Sequence, residues 1–454
     1  MFFEITGKKR QVLASMCIYI GQLLIGFTNS WTVPILPKLQ DPEQSPLPNC
    51  LTETQLSLVA SLLFVGCIPG PYIMGWLSNV KGRKPCLFLG GLLAATGYVV
   101  LATAKSLAVL YCGRMLSGFG AGILAVTNVV YIGEIASTNN RGILLTGVGI
   151  TTTCGSVIVL TAGYFLSYAG TTFIGAGISL AFTVATLTLP ETPIFHMLKG
   201  DEKALRKVLQ ELGRYDDIDT LVEAKKESRE LSNKKDWQEL FSIRSNSRAL
   251  FIVVGINILQ HCSGIAPILF FASIIFDMAG SKIDASLSMI IIAEFQLIGT
   301  SISSVLIERA GRKKLLIISS ANCSLSMFFL GLYFYLDHIG NPIVSGVRWL
   351  PLAILIVFFI GFECGLGIIP IVLMVEMFTS NVRSKGSAVC MTSSWVAGFL
   401  ITTAFGALVE TIGGHIAFWF FSGTCLCTIL FSVFCVVETK GRSLLEIQEI
   451  LNKK

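Results

Sequence analysis

Charge is what this chain has least of. Asp, Glu, Lys and Arg make up 14% of its 454 residues, against 53% hydrophobic residues, whereas a soluble domain carries about 25% charged residues. With a mean hydropathy of +0.72 it cannot clothe a water-facing surface, so its exterior must meet lipid. Histidine is scarce too. His196, His261, His338 and His415 are the four, none in a recognisable triad or metal motif, which argues against an enzyme. The thirteen cysteines show no C-x-x-C or Cys/His metal spacing. Most, such as Cys17, Cys67, Cys154, Cys262, Cys390, Cys425 and Cys427, lie in apolar runs, where a thiol packs as a small apolar group. No metal and no cofactor is expected. The net charge of +6 is spread over short clusters between apolar runs, so it forms no single patch for nucleic acid. Asn-x-Ser/Thr is missing from the predicted outer loops; Asn322-Cys-Ser lies inside an apolar run. No cleavage site follows the first run, which reads as a retained helix and not a signal peptide.

What is present is a series of apolar runs of membrane-spanning length, about 20 residues. They cover roughly 11–36, 55–78, 85–104, 108–132, 143–167, 171–189, 249–276, 285–307, 314–336, 348–375, 386–409 and 415–437. Glycine is abundant at 43 residues. Gly118, Gly120 and Gly122 in the fourth run predict a face where helices approach closely. Lys and Arg concentrate on one side: Lys8, Lys9, Arg10, Lys81, Arg83, Lys84, Arg141, the basic residues of 190–248, Arg309, Arg312, Lys313, Lys314, Arg383, Lys385 and the C-terminal tail. The other side receives only Lys38, Lys105, Lys282 and Arg348. That asymmetry places both termini in the cytoplasm. The expected division is a six-helix bundle over 1–189, a linker over 190–247, a second bundle over 248–437 and a tail over 438–454. In the linker, Ala204, Leu205, Val208, Leu209 and Leu212, and again Ile218, Leu221 and Val222, recur at helical spacing. Two to four short amphipathic helices are expected there; a partly disordered charged linker is the alternative.

The two halves repeat each other. Gly82-Arg83-Lys84 returns as Gly311-Arg312-Lys313, 229 positions on. Glu134 followed by Arg141 returns as Glu376 followed by Arg383, at an offset of 242. Glu191-Thr192 returns as Glu438-Thr439, at an offset of 247. Three pairs in matching order imply two six-helix halves related by an axis along the membrane normal.

These residues resemble the sugar porter branch of the major facilitator superfamily over nearly the whole chain. The matching stretches are Gly75 to Lys84, Arg114-x-x-x-Gly118-x-Gly120, Tyr131-Ile-Gly-Glu134 to Arg141-Gly142 and Pro190-Glu-Thr-Pro193. They continue with Gln260-His-Cys-Ser263-Gly264-Ile265, Glu308 to Lys313, Glu376 to Arg383 and Glu438-Thr-Lys-Gly-Arg442. The Thr-Val-Pro-x-Leu-Pro stretch around Pro34 looks most like the insect trehalose/hexose carriers. The resemblance implies an all-α major facilitator fold: twelve transmembrane helices in two pseudo-symmetric halves, with short cytoplasmic helices between them. It also implies sugar transport by alternating access, with a sugar and the lipid bilayer as partners and the cell membrane as location. The matching family residues form charge pairs at the cytoplasmic mouth. Arg83, Glu134, Arg141, Glu308, Arg312, Glu376 and Arg383 are therefore expected to form a gate whose pairs close with the mouth. Asn79 and Val80 stand where the family has an acid and a base, which leaves the first half's charge relay in doubt.

A sugar site needs amides and hydroxyls, with an aromatic face for the ring. By resemblance the sugar-binding set is Gln260, Gln296, Glu363 and Trp395. Ser263 shares the face of Gln260, and His261 stands where the family has a second Gln. Each has a plainer role open to it, as a glutamine that ties helices or a histidine bonded only to its neighbours. Ala266, Ile371, Ser394 and Gly149 replace hydrogen-bonding or aromatic residues of the family, so a roomier, less polar pocket is expected, suited to a disaccharide, a polyol or a weakly held hexose. Proton-coupled relatives carry an Asp in the first helix where this chain has Thr28, which favours facilitated diffusion. Glu294, midway along the eighth run, keeps a proton–sugar symporter open; it is expected to face away from Gln296, as a neutral acid bonded between helices. A non-transporting sugar receptor is the third reading, although only about 16 residues follow the last helix.

Overall fold

The computed structural model describes residues 7–214, 236–272, 275–276, 280, 283–379, 382–442 and 444–453. The first half holds α1 (Lys8–Ser30, carried on by Thr32–Gln40), α2 (Glu53–Cys67 and Gly70–Val80), α3 (Arg83–Ala102), α4 (Leu107–Ile135), α5 (Thr138–Phe165) and α6 (Tyr168–Thr186). The second holds α7 (Arg244–Cys262 and Ile265–Phe270), α8 (Ala285–Ala310), α9 (Arg312–His338), α10 (Leu350–Glu363 and Ile369–Met377), α11 (Arg383–Ile412) and α12 (Gly414–Phe434).

Among the described residues eleven helices are long and apolar enough to cross a membrane. The twelfth expected crossing, α10, comes in two pieces of 14 and 9 residues. Pro370 lacks an N–H, and its ring would strike the carbonyl of Leu366 in a continuous helix. The chain turns through Cys364–Ile368 instead, with the Gly367 N–H on the Phe362 carbonyl at 2.8 Å. Proline explains the other breaks as well: α2 is interrupted at Pro69 and Pro71, and α7 at Gly264, which has φ +86°, before Pro267.

The exterior is apolar, as lipid requires: Ile143, Phe165 and Phe434 are each about three-quarters exposed. The interior packs apolar side chains such as Phe27, Leu56, Phe182 and Phe358 and also holds the buried polar groups, many Ser and Thr and the fully buried Arg114. Packing repeats between the halves. α1 lies on α5 as α7 lies on α11, α2 on α4 as α8 on α10, and α3 on α6 as α9 on α12. The halves meet where α2 touches α11 and α5 touches α8. Gly118 and Gly122 press α4 against the Leu63 and Cys67 carbonyls of α2, while Gly120 faces α3; a Cβ at any of them would strike the neighbour.

The three repeated motifs converge, in each half, on one cluster at the end carrying the chain termini. The Arg83 guanidinium bonds Glu134 at 2.8 Å, and the Arg83 and Lys84 N–H groups donate to the Glu191 carboxylate at 2.8 and 3.1 Å. In the second half Arg312 bonds Glu376 at 2.8 Å, and the Arg312 and Lys313 N–H groups donate to Glu438 at 2.9 and 3.0 Å. Each arginine also reaches the carbonyl five residues back, on Ser78 or Ile307. Each lysine bonds a carbonyl at the end of α6 or α12, Leu187 or Val433. The carboxylates of Glu191 and Glu438 thus cap the first turns of α3 and α9, whose N–H groups have no partner within the helix. Gly82 and Gly311 make the approach, with φ of +104° and +87°.

The linker carries the short helices Pro193–Lys199 and Glu202–Glu211. The second buries Leu205, Val208 and Leu209 and is tied to α1 by Gly7 N–H to Glu211 O and by the Arg10–Glu211 pair. A third, Asp236–Ser242, sits on the second half, where Lys385 covers the Trp237 ring. Ile218, Leu221 and Val222 lie outside the described residues.

Two predictions follow from the caps. Gly311→Ala forces a Cβ into left-handed backbone, 2.8 Å from Glu438, at a cost of about 1–3 kcal/mol. Its melting temperature in detergent falls by several degrees, whereas that of Gly423→Ala, whose Cβ meets nothing within 4 Å, does not. Burial pushes the Glu438 carboxyl up, but four backbone N–H groups (Lys440, Arg312, Lys313, Thr439) outweigh it and hold it below the usual 4.5. A depressed carboxyl stabilises above its unfolded pKa and loses that contribution as pH falls through the folded one. Glu438→Gln therefore melts lower than wild type at neutral pH, and the gap closes as pH drops below 4.5.

Candidate functional site

The breaks in α7 and α10 place polar groups halfway through the molecule. Gln260, in the last turn of the first segment of α7, donates its amide N–H to the Gly367 carbonyl at 3.1 Å. That carbonyl lies inside the α10 break. Its hydrogen bond to Gln260 is what an interrupted helix in a membrane requires, since each freed backbone group needs a partner. Among the described residues the Gln260 amide oxygen accepts no hydrogen bond, which leaves it available to a hydroxyl.

Beside this pair, Glu363 ends the first segment of α10. One carboxylate oxygen accepts the Gln296 amide at 2.7 Å, the other the Thr300 hydroxyl at 3.3 Å. Gln296 and Thr300 are four residues apart on α8 and share one face. Gln260, Gln296, Glu363 and Trp395 are all half-buried and keep part of their surface open. Trp395, on α11, packs against Leu63, Cys67 and Ala121 of the first half. Ser263 is fully buried and donates to the Gln260 carbonyl, so its hydroxyl is committed to the turn.

His261 reaches across. Its Nε2 pairs with the Ser394 hydroxyl at 2.9 Å, and its ring meets Phe64 of α2 edge-on at 5.5 Å. Phe64 also packs on Phe270, in the second segment of α7, with ring centroids 6.0 Å apart. His261 is thus part of the junction between the two halves.

Thr28 donates to the Leu24 carbonyl and accepts the Tyr98 hydroxyl at 2.9 Å. Arg114, fully buried on α4, bonds the Val59 and Thr28 carbonyls and lies 5.1 Å from the centre of the Trp31 ring. Carbonyl dipoles and a ring face stabilise this guanidinium. Glu294 is exposed on the outer face of α8, turned away from Gln296 as its spacing implies. It is not the acid bonded between helices that the sequence suggests: no hydrogen bond to it is recorded among the described residues.

Of the expected gate residues, Arg83 pairs with Glu134, and Arg312 with Glu376, inside their own halves in this conformation. Arg383 donates to the Phe378 carbonyl. The side chains of Arg141 and Glu308 lie outside the described residues. Sequence reasoning missed Thr153 and Thr300, whose hydroxyls meet across the halves at 3.3 Å. The four-residue spacing of Thr300 from Gln296 was the available signal.

The family described as "Sugar (and other) transporter" matches residues 14–451. A facilitated trehalose transporter Tret1 of Polypedilum vanderplanki is 33% identical over 446 residues, which is 96% of this chain and 87% of that protein. Its namesake in Aedes aegypti is 30% identical over 447 residues; this chain spans 96% of itself there but only 54% of that protein. Among solved structures, the inward open conformation of the xylose transporter XylE from E. coli superposes with a TM-score of 0.77 at 22% identity, covering 96% of this chain and 98% of that one. This last likeness is one of fold.

Gln260→Leu leaves the Gly367 carbonyl unpartnered, at about 1–3 kcal/mol. It lowers the melting temperature, while Gln260→Glu, which keeps an acceptor but no donor, lowers it as much or more. An unchanged melting temperature in both would remove the cap from the account.

Proposed function

The chain belongs to the sugar (and other) transporter family, and from that premise we propose that it carries a sugar across the cell membrane by facilitated diffusion, with both termini in the cytoplasm. The observation that carries this reading is the meeting of two broken helices at mid-length, where Gln260, Gln296 and Glu363 offer amide and carboxylate groups and stay half-buried. Sugar hydroxyls pair with such groups, and the Trp395 ring offers an apolar face for the sugar's C–H side. His261 and Ser263 complete the proposed site, His261 through its bond to Ser394 and Ser263 by fixing the turn that aims Gln260.

The substrate is proposed to be a disaccharide such as trehalose, with hexoses held more weakly. Ala266, Ile371 and Gly149 bring no hydrogen-bonding side chain, and the similar insect proteins are facilitated trehalose transporters. Coupling to protons is not part of the proposal. Thr28 does not titrate, and its hydroxyl is already engaged on both sides.

Alternating access moves one half against the other around the site. The two open states must then lie within a few kcal/mol of each other. The Arg83–Glu134 and Arg312–Glu376 pairs keep each half intact through the motion. Arg141 and Arg383, seven residues after each glutamate, are the arginines proposed to reach across when the cytoplasmic mouth closes, with Glu308 as an acidic partner. Purified protein in liposomes should take up radiolabelled trehalose to equilibrium with no ion gradient, at a rate a protonophore does not change. Gln296→Leu and Glu363→Gln should each lower uptake at least tenfold. Acidification of the vesicle interior during uptake would overturn the facilitator reading.

A further inference from the structure

Three side-chain hydrogen bonds between the halves stand out: Ser61 with Thr403, Tyr72 with Thr392, and Thr153 with Thr300. Of these, the third connects directly to the proposed sugar site, because Thr300 also bonds Glu363. Gly149 makes the contact possible: it lies against the Thr300 methyl, and a Cβ there would come within 3.1 Å of it. We propose that Thr300, together with Thr153, is a positioning pair that couples engagement of substrate at Glu363 to separation of the two halves. This rests on the sugar-carrier reading above.

A hydroxyl has one proton and two lone pairs. In the empty site the Thr300 hydroxyl shares its proton between the Gln296 carbonyl at 2.9 Å and the Glu363 carboxylate at 3.3 Å, and its oxygen accepts the Thr153 proton. Donation to a carboxylate polarises a hydroxyl and strengthens the bond its oxygen accepts. The cross-half contact is therefore strongest when no substrate is present. A sugar hydroxyl that donates to Glu363 takes the place of Thr300. Both threonines then have a second acceptor in their own helix, four residues back: Gln296 O at 2.9 Å for Thr300 and Gly149 O at 3.2 Å for Thr153. The seam opens without leaving a buried hydroxyl unpaired. Bound sugar thus releases a contact that holds the empty carrier, and loaded reorientation outpaces empty reorientation.

The test compares equilibrium exchange with net uptake of trehalose in proteoliposomes, and of glucose if trehalose is not carried. In wild type exchange is the faster. Thr153→Val removes the cross-half bond and leaves Glu363, Gln296 and Thr300 in place. It should raise net uptake about threefold, the effect of one interhelical hydrogen bond in a membrane, with exchange rate and KM unchanged, so that the two rates converge. Thr300→Val should remove the preference for exchange and also raise KM, and Thr300→Ser should restore wild-type behaviour in both. If Thr153→Val leaves the ratio of exchange to net uptake as it was, or lowers both rates together, the coupling is wrong while the carrier reading stands. Failure of wild type to carry either sugar would overturn both. Equal melting temperatures for wild type and the Ser variant keep a folding defect from being read as loss of coupling.

Discussion

In each half one arginine and two glutamates close a cluster on which the rest of the architecture depends. Arg83 and Arg312 are nearly buried, and an unpaired guanidinium in such a place would cost several kcal/mol. Each is answered by a carboxylate from the end of α4 or α10, while a second carboxylate from beyond α6 or α12 caps the start of α3 or α9. Three crossings in each half are thereby tied at one end, and the arginine's bond to the Ser78 or Ile307 carbonyl adds a fourth. Removing any member strands the others, so each half is held as a unit. Two units that keep their internal contacts are what a rocking carrier needs.

At the other level of the molecule, the requirement is that no backbone group be left bare in lipid. Prolines break α7 and α10 and free carbonyls at mid-length. Gln260 satisfies one of them, and in doing so it fixes a polar side chain at the proposed substrate site. The same residue is therefore structural and proposed to be functional, and the seam through Thr153 and Thr300 links that level to the boundary between the halves.

Much of this was legible in the chain. Apolar runs and the Lys/Arg asymmetry mark the crossings, because lipid allows so few alternatives. The Gly-Arg-Lys, Glu…Arg and Glu-Thr repeats identify the residues of the cluster. Their partners were not legible: spacing along the chain does not say which helix ends lie together, and so does not say that Arg83 meets Glu134 and Arg312 meets Glu376 within each half. Pro370 was visible, but hydropathy alone runs straight through the break it causes. Glu294 reads as buried from its place in an apolar run, whereas it lies exposed on the outer face of α8. Thr153 carries no sequence signature, and Thr300 only its four-residue spacing from Gln296, since intramembrane threonines usually bond their own helix.

The account's central claim is that each half moves as one stapled body. Spin labels placed in pairs, one pair between the starts of α3 and the end of α4, one between the starts of α9 and the end of the second segment of α10, and one across the halves, measure it directly by pulsed electron spin resonance. On adding saturating trehalose the two within-half distances should stay fixed while the cross-half distance shifts by several ångströms. Within-half distances that change along with the cross-half distance would contradict the account.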